Sequence, residues 1–173
     1  CSAVDIVGHL IILEKDGYAI SKHKGCFDII AKKDRLLLLK ILQNIDSLSE
    51  EQTNNLKIIA NNLEATAIVI GRNTTREKLK SGIVYERFEI PCVSPETFSS
   101  LIISKIFPKM YRDKGGLYVE IDSDILKETR NKKKLTQREL AEIVGINKKV
   151  IYEHEKEELR MMLDIAGKIE NIL

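Results

Sequence analysis

Asp28 sits in an otherwise apolar run, "GCFDIIAKKDRLLLLKIL" from Gly25 to Leu42, and Lys40 follows twelve residues later. An acid on one strand and a lysine on the next are two parts of a metal-dependent phosphodiesterase. Carboxylates hold Mg²⁺, and the ammonium steadies charge on the attacking water or the phosphate. A second acid two residues before the lysine would complete the set, but Leu38 stands there and supplies no oxygen. Asp28, even with Glu14 from the first predicted helix, makes a poor cage. The register of "LLLLKIL" puts Leu38 and Lys40 on one face, which Leu36 and Leu42 extend. Asp28 and Lys40 are thus read as vestigial, with no catalytic residue, no metal and no cofactor expected. The bland alternative is an aspartate at a strand end and a lysine at a sheet rim.

The elements that would position this pair alternate between helix and strand. Ala3 to Lys15 has helical spacing, with Val4, Val7, Ile11 and Glu14 on one side, and Gly17 ends it. "YAIS", "CFDIIAK" and "RLLLLKIL" read as strands, the last two joined as a hairpin by "KKDR". Ser49 opens a helix whose inner face is Leu56, Ile59, Ala60 and Leu63. "TAIVIG" and "IVYERFEI" are strands, the latter ended by Pro91. "SPETFSSLIISKI" is a helix with Ser94 as N-cap and Pro95 at its first position. This is an α/β domain with a mixed sheet flanked by helices. The order resembles the restriction-endonuclease-like fold, which also houses archaeal Holliday-junction resolvases. Asp28 and Lys40 fall where that PD-(D/E)xK arrangement keeps its metal-binding acid and its catalytic lysine. The resemblance implies a nuclease frame, with the chemistry gone.

The chain has 173 residues, 43% of them hydrophobic, and a net charge of only +2, so charge must be read locally. Cys1, Cys26 and Cys92 form no CxxC pair and do not cluster with His9, His23 or His154, which argues against structural zinc. The sparse set fits a reducing cytoplasm, with Cys26 and Cys92 as core residues. No apolar run approaches the ~20 residues that cross a bilayer, and the first segment lacks a basic leader. The chain opens on cysteine and stops inside a helical pattern at Leu173, which predicts a piece of a longer protein. Pro108 and Gly115-Gly116 mark a boundary. Residues 1–106 form the nuclease-like module, 107–120 a linker, and 121–173 an all-α helix-turn-helix domain.

In that last part, Ser123 is the expected cap of a helix to Lys133, with Ile125 and Leu126 inward. Thr136 and Glu139 form a capping box for a second helix carrying Leu140, Ala141 and Ile143-Val144. Gly145 turns the chain, and Asn147 caps a third helix, with Val150 and Ile151 inward. "MMLDIAGKIENIL" is a fourth. Thr-Gln-x-Glu-Leu-Ala, then glycine, then a capped helix resembles the helix-turn-helix of the phage-repressor/Cro type. The resemblance implies a close approach at Ala141 and a DNA phosphate at Gln137. It also implies an ion pair between Arg130 and Glu155. Two positions depart from it. His154 stands where an apolar residue is usual, read as a core histidine with one hydrogen bond, and Thr129 replaces a leucine. The third helix would lie in the major groove with Lys148, Lys149 and Tyr152, where lysine either reads guanine or contacts phosphate. Arg138 and Lys134 are further DNA candidates, and Lys132 and Lys133 are read as phosphate contacts or solvated side chains. From Lys127 to Lys149 there are eight Lys/Arg against three Asp/Glu, and from Val150 to Glu170 three against six. The basic end is where DNA would dock.

The strings "CFDIIAKKDRLLLLKILQNID", "FEIPCVSPETF" and "GGLYVEIDSDILKETRNKKKLTQRELAEIVGINKKVIYEHE" together resemble a family of archaeal helix-turn-helix transcriptional regulators, whose members are longer than this chain. The family implies double-stranded DNA as partner, binding as a homodimer. An endonuclease or junction resolvase targeted by the helix-turn-helix is the second reading, and a protein-binding adaptor the third.

Overall fold

The computed structural model describes residues 3–113 and 115–173, with side chains from Gly8 onward. The chain divides into two compact units, Cys1–Pro108 and Lys109–Leu173.

The first unit opens with α1 (Ala3–Lys15), which stops where Gly17 takes φ +83°. Strands β1 (Ala19–Lys22), β2 (Ile29–Lys32) and β3 (Leu36–Asn44) form an antiparallel meander. A capping box at Ser49 and Gln52 starts α2 (Glu50–Asn62), which leads into β4 (Thr66–Asn73). β5 (Ile83–Arg87), β6 (Ile90–Val93) and α3 (Pro95–Ser99) follow, with Ser94 accepting the Thr97 N–H as N-cap. The strands lie in the order β1-β2-β3-β4-β6-β5, and β4 runs parallel to both β3 and β6. The period of two along β3 divides its side chains. Leu37, Leu39 and Ile41 join Leu10, Leu13 and Phe98 in one core, under α1 and α3. Leu38 and Lys40 take the opposite face.

Several expectations for this unit need correction. "IVYERFEI" is two strands, because Phe88 and Glu89 both take positive φ and make a two-residue hairpin turn. Pro91 lies inside β6 rather than ending a strand. The predicted helix after Ser94 changes at Ser100 into a π-helical turn, Ser100–Ser104. Ile11 is exposed, and α1 buries His9, Leu10 and Leu13 instead; Val4 and Val7 lie outside the described side chains. On α2, Leu63 is exposed and Thr53 takes an inner position beside Leu56 and Ala60. Cys92 is buried, which pushes its thiol up to about 12, but Cys26 is only half-buried in the loop before β2.

The second unit is not all-α. The expected linker contains a hairpin, β7 (Met110–Asp113) and β8 (Gly116–Glu120), and β8 also pairs with β9 (Arg160–Met162). The reason is alternation: Val119 and Met161 are partners in register, and Met161 is buried in the helical core. α4 (Ser123–Lys132), α5 (Gln137–Val144), α6 (Lys148–Lys156) and α7 (Leu163–Ile172) complete the unit. Its core is Leu126, Leu140, Ala141, Val144, Ile151, Met161 and Ile169. The cap of α4 is Asp122, not Ser123, and its carboxylate accepts the Ile125 N–H at 2.9 Å. Ile125 and Ile143 face solvent, Val150 is half-buried, and Met161-Met162 belong to β9 rather than to the last helix. Among the described residues no helix is long and apolar enough to cross a membrane.

Candidate functional site

The first unit does bring Asp28 and Lys40 together. The Asp28 N–H donates to the Leu39 carbonyl at 2.8 Å, and its own carbonyl accepts the His23 N–H at 2.9 Å. With its backbone fixed, the carboxylate reaches over β3. Oδ2 accepts the Ile41 N–H at 2.7 Å, and Oδ1 accepts the Lys40 ammonium at 3.3 Å. Lys40 also donates to the Gly25 carbonyl at 3.1 Å. Leu38 is fully buried at the position of the second acid. Glu14 is exposed on α1.

Mg²⁺ asks for several hard oxygens in near-octahedral array. Here the paired carboxylate already accepts an amide and a cation on its two oxygens, and its neighbour on β3 is a buried hydrocarbon. These residues do not fit the metal. The surroundings are cationic instead. Lys22, His23 and Lys24 line a cleft of about 400 Å³ beside Asp28, and His23 stacks on Phe27 with ring centroids 4.5 Å apart. Such a cleft can hold an anion without activating water. These three residues escaped the sequence reading. Their only signal is the tripeptide Lys-His-Lys ahead of β2, with no periodicity to point at the site.

In the second unit, α5 and α6 are built by local rules. Thr136 accepts the Glu139 N–H at 3.1 Å, and Glu139 accepts the Thr136 N–H at 2.7 Å; these bonds hold the Glu139 carboxyl below its usual range. Gly145 takes φ +81°, which a Cβ would resist, and the N–H groups of Gly145 and Ile146 both donate to the Ala141 carbonyl at 2.9 Å. Asn147 Oδ1 accepts the Lys149 N–H at 2.8 Å and so starts α6.

A buried fork holds this motif to α4. Arg130 Nε and one terminal nitrogen donate to the two oxygens of Glu155 at 2.5 and 2.9 Å. The other terminal nitrogen donates to the Leu135 carbonyl at 2.6 Å and to Asn131 at 2.9 Å. Gln137 adds a hydrogen bond to Glu155 at 2.8 Å. Burial pushes the Glu155 carboxyl up, yet the bonds from Arg130 and Gln137 prevail and hold it below its usual range. Arg130 is raised in return, chiefly by its hydrogen bond to Glu155. His154 is buried beside this fork on α6. Burial lowers its pKa against the pull of Glu153 and of the Leu159 backbone, and its Nδ1 has no hydrogen-bond partner among the described residues.

The DNA candidates fall into two groups. Lys148, Lys149 and Tyr152 are exposed along α6, whose first turn has no acid. Lys149 also lies 3.6 Å from Glu153. Lys134 is exposed after α4, and Arg138 pairs with Glu142 at 2.9 Å on the open face of α5. Asn147 and Gln137, by contrast, have structural partners: the first caps α6, and the Gln137 amide nitrogen is held by Glu155. Gln137, Tyr152 and Glu155 line one small cleft of about 180 Å³ with Lys127 and Lys156. Those two lysines were missed, since charge runs on helix surfaces do not say which members converge.

The first unit has a counterpart among known families. Residues 7–108 match the model described as a PD-(D/E)XK superfamily domain. The chain belongs to the PD-(D/E)XK superfamily. Similar proteins carry the name "Putative HTH-type transcriptional regulatory protein". One from Methanococcus maripaludis is 42% identical over 165 residues, which is 94% of this chain and 50% of that protein. One from Pyrococcus furiosus is 39% identical over 154 residues, 88% of this chain and 49% of its own length. One from Methanocaldococcus jannaschii is 38% identical over 165 residues, covering 94% and 52%. The chain spans about half the length of the curated relatives it matches. No solved structure matches it.

Proposed function

We propose that this chain is a DNA-binding transcriptional regulator. Its second unit reads duplex DNA through a helix-turn-helix of the phage-repressor/Cro type, and its PD-(D/E)XK unit does not cut. The supporting observation is the bundle of α4, α5 and α6. A buried fork from Arg130 to Glu155 and a left-handed Gly145 fix α6 while Lys148, Lys149 and Tyr152 stay exposed to a groove. Arg138 and Lys134 contact phosphates, and Asn147 aims the helix by capping it. Gln137 presents its second amide N–H and the α5 N-terminus to a phosphate. The protein binds two half-sites as a homodimer. The cationic cleft at Lys22, His23 and Lys24 adds backbone contact. The relatives' printed name is in keeping with this reading.

Anisotropy titrations of duplex DNA across a salt series test it, comparing wild type with Lys148→Ala/Lys149→Ala. The double variant should lose preference for one fragment over a scrambled duplex, and its salt slope should shrink by about 2. Equal binding of both proteins to both duplexes would sink the reading.

A second reading, a DNA endonuclease, draws on the meeting of Asp28 and Lys40. Cleavage of the same duplexes in Mg²⁺, abolished by Asp28→Ala and by Lys40→Ala, would establish it.

A further inference from the structure

The second unit carries a cleft that shares no residue with the α5–α6 surface. It lies between α4 and α7 and measures about 460 Å³. Buried Leu126 and Ile169 and half-buried Ile121 and Ala166 form its base. Ile125 and Leu163 stand on its walls, 62% and 37% exposed. Isoleucine and leucine side chains left in water on facing helices are an unfilled apolar seam, not scattered surface residues.

The charge at its edge is of one sign. Among the described residues no lysine or arginine lines the cleft, and its ionisable side chains are Glu120, Asp122 and Glu170. Glu120 has Arg160 opposite it in the β8–β9 register and accepts the Tyr111 hydroxyl. Among the described residues the Asp122 carboxylate accepts the neutral Ile125 N–H and has no cationic partner, and the Glu170 carboxylate has no hydrogen-bond or ion-pair partner. The uncompensated negative charge therefore sits at Asp122 and Glu170.

This combination selects the occupant. Nucleic acid is repelled by the rim. A second copy pairing isologously would bring two such acidic rims together, because a two-fold interface opposes a patch to itself. A groove between two helices accepts the side-chain ridge of a third, with apolar anchors at i, i+3/i+4 and i+7. We infer that the cleft between α4 and α7 docks an amphipathic helix of a partner protein, its apolar ridge on Ile125, Leu126, Leu163 and Ile169 and its lysines or arginines beside Asp122 and Glu170. The inference does not depend on DNA binding by α6.

The test uses the 173-residue chain and two designed peptides of about 18 residues, leucine-ridged, one flanked by lysine and one by glutamate. Fluorescence anisotropy should show the lysine-flanked peptide binding and the glutamate-flanked one not. Ile125→Lys should abolish binding, and Glu170→Lys should weaken it on the order of tenfold at low salt. Leu163→Lys is the second apolar variant, and circular dichroism checks that each variant is folded. Equal binding of both peptides, or indifference to Glu170→Lys, would overturn the inference, since charge would not select. So would failure of the lysine-flanked peptide to bind. Sedimentation covers the remaining case: a dimer that Ile125→Lys converts to monomer assigns the cleft to a second copy and overturns the inference too.

Discussion

Each unit has at its candidate site an ion pair that joins distant parts of the chain, Asp28–Lys40 in the first and Arg130–Glu155 in the second, and the two differ in kind. Asp28 and Lys40 meet through one contact at 3.3 Å, with side chains 21% and 14% exposed beside an open cationic cleft. Arg130 and Glu155 meet through two, with side chains 9% and 3% exposed and the other terminal nitrogen of the guanidinium directed at Leu135 and Asn131. A charge pair beside water contributes little to stability, because solvent competes for both partners. A buried pair is costly to form and much more costly to break, because the survivor is left charged without a partner. The first arrangement leaves charge available to a ligand. The second fixes the position of a helix.

The contrast can be broken by removing one partner at a time. Glu155→Ala should cost the second unit about 3–5 kcal/mol, read as lost hydrogen-exchange protection in α4 through α6. Asp28→Ala should cost the first unit about 1–3 kcal/mol, because the Ile41 N–H loses its bond to the carboxylate, while Asp28→Asn restores most of that loss. Lys40→Met should cost under about 1 kcal/mol, measured in the same way in β2 and β3. If Lys40→Met proves as damaging as Glu155→Ala, the two pairs are alike and the distinction fails. The smallest effect is a pH slope. Burial depresses the His154 pKa, so the unfolded chain takes up that proton first as the medium is acidified. This contribution is fully present above about pH 6.5 and is lost as pH falls below it. His154→Leu should flatten the slope for the second unit, followed by urea midpoints at pH 7.5 and 5.5.

What could be read from the sequence followed the range of the interaction. The capping box at Thr136 and Glu139 and the turn at Gly145 are fixed within a few residues, and they were legible. The meeting of Arg130 with Glu155 spans 25 residues, and it was reached through a family pattern rather than through spacing. The strands of the second unit were hidden for a different reason. β9 has three residues, and Met161-Met162 continue an apolar run that suits a helix equally well. Gly115-Gly116 looked like a linker because a hairpin turn and a linker use the same residues. Phe88-Glu89 was opaque for the reverse reason: the turn has positive φ at two residues that seldom supply it. Lys127 and Lys156 come from different helices, so no single segment displays their cleft, while Lys22 and Lys24 sit in one tripeptide that has no periodicity to mark it.

The Ile41 N–H that Asp28 accepts belongs to the backbone of β3. That bond serves the sheet whether or not any metal is ever present, while an acid at position 38 would serve a metal alone. Loss of enzymatic selection would therefore strip a signature of two acids and a lysine unevenly, taking the second acid early and leaving the first as an architectural relic. A genome survey that scores nucleases by the surviving aspartate and lysine would count such proteins as active. The informative position for sorting living members from retired ones is the residue two before the lysine.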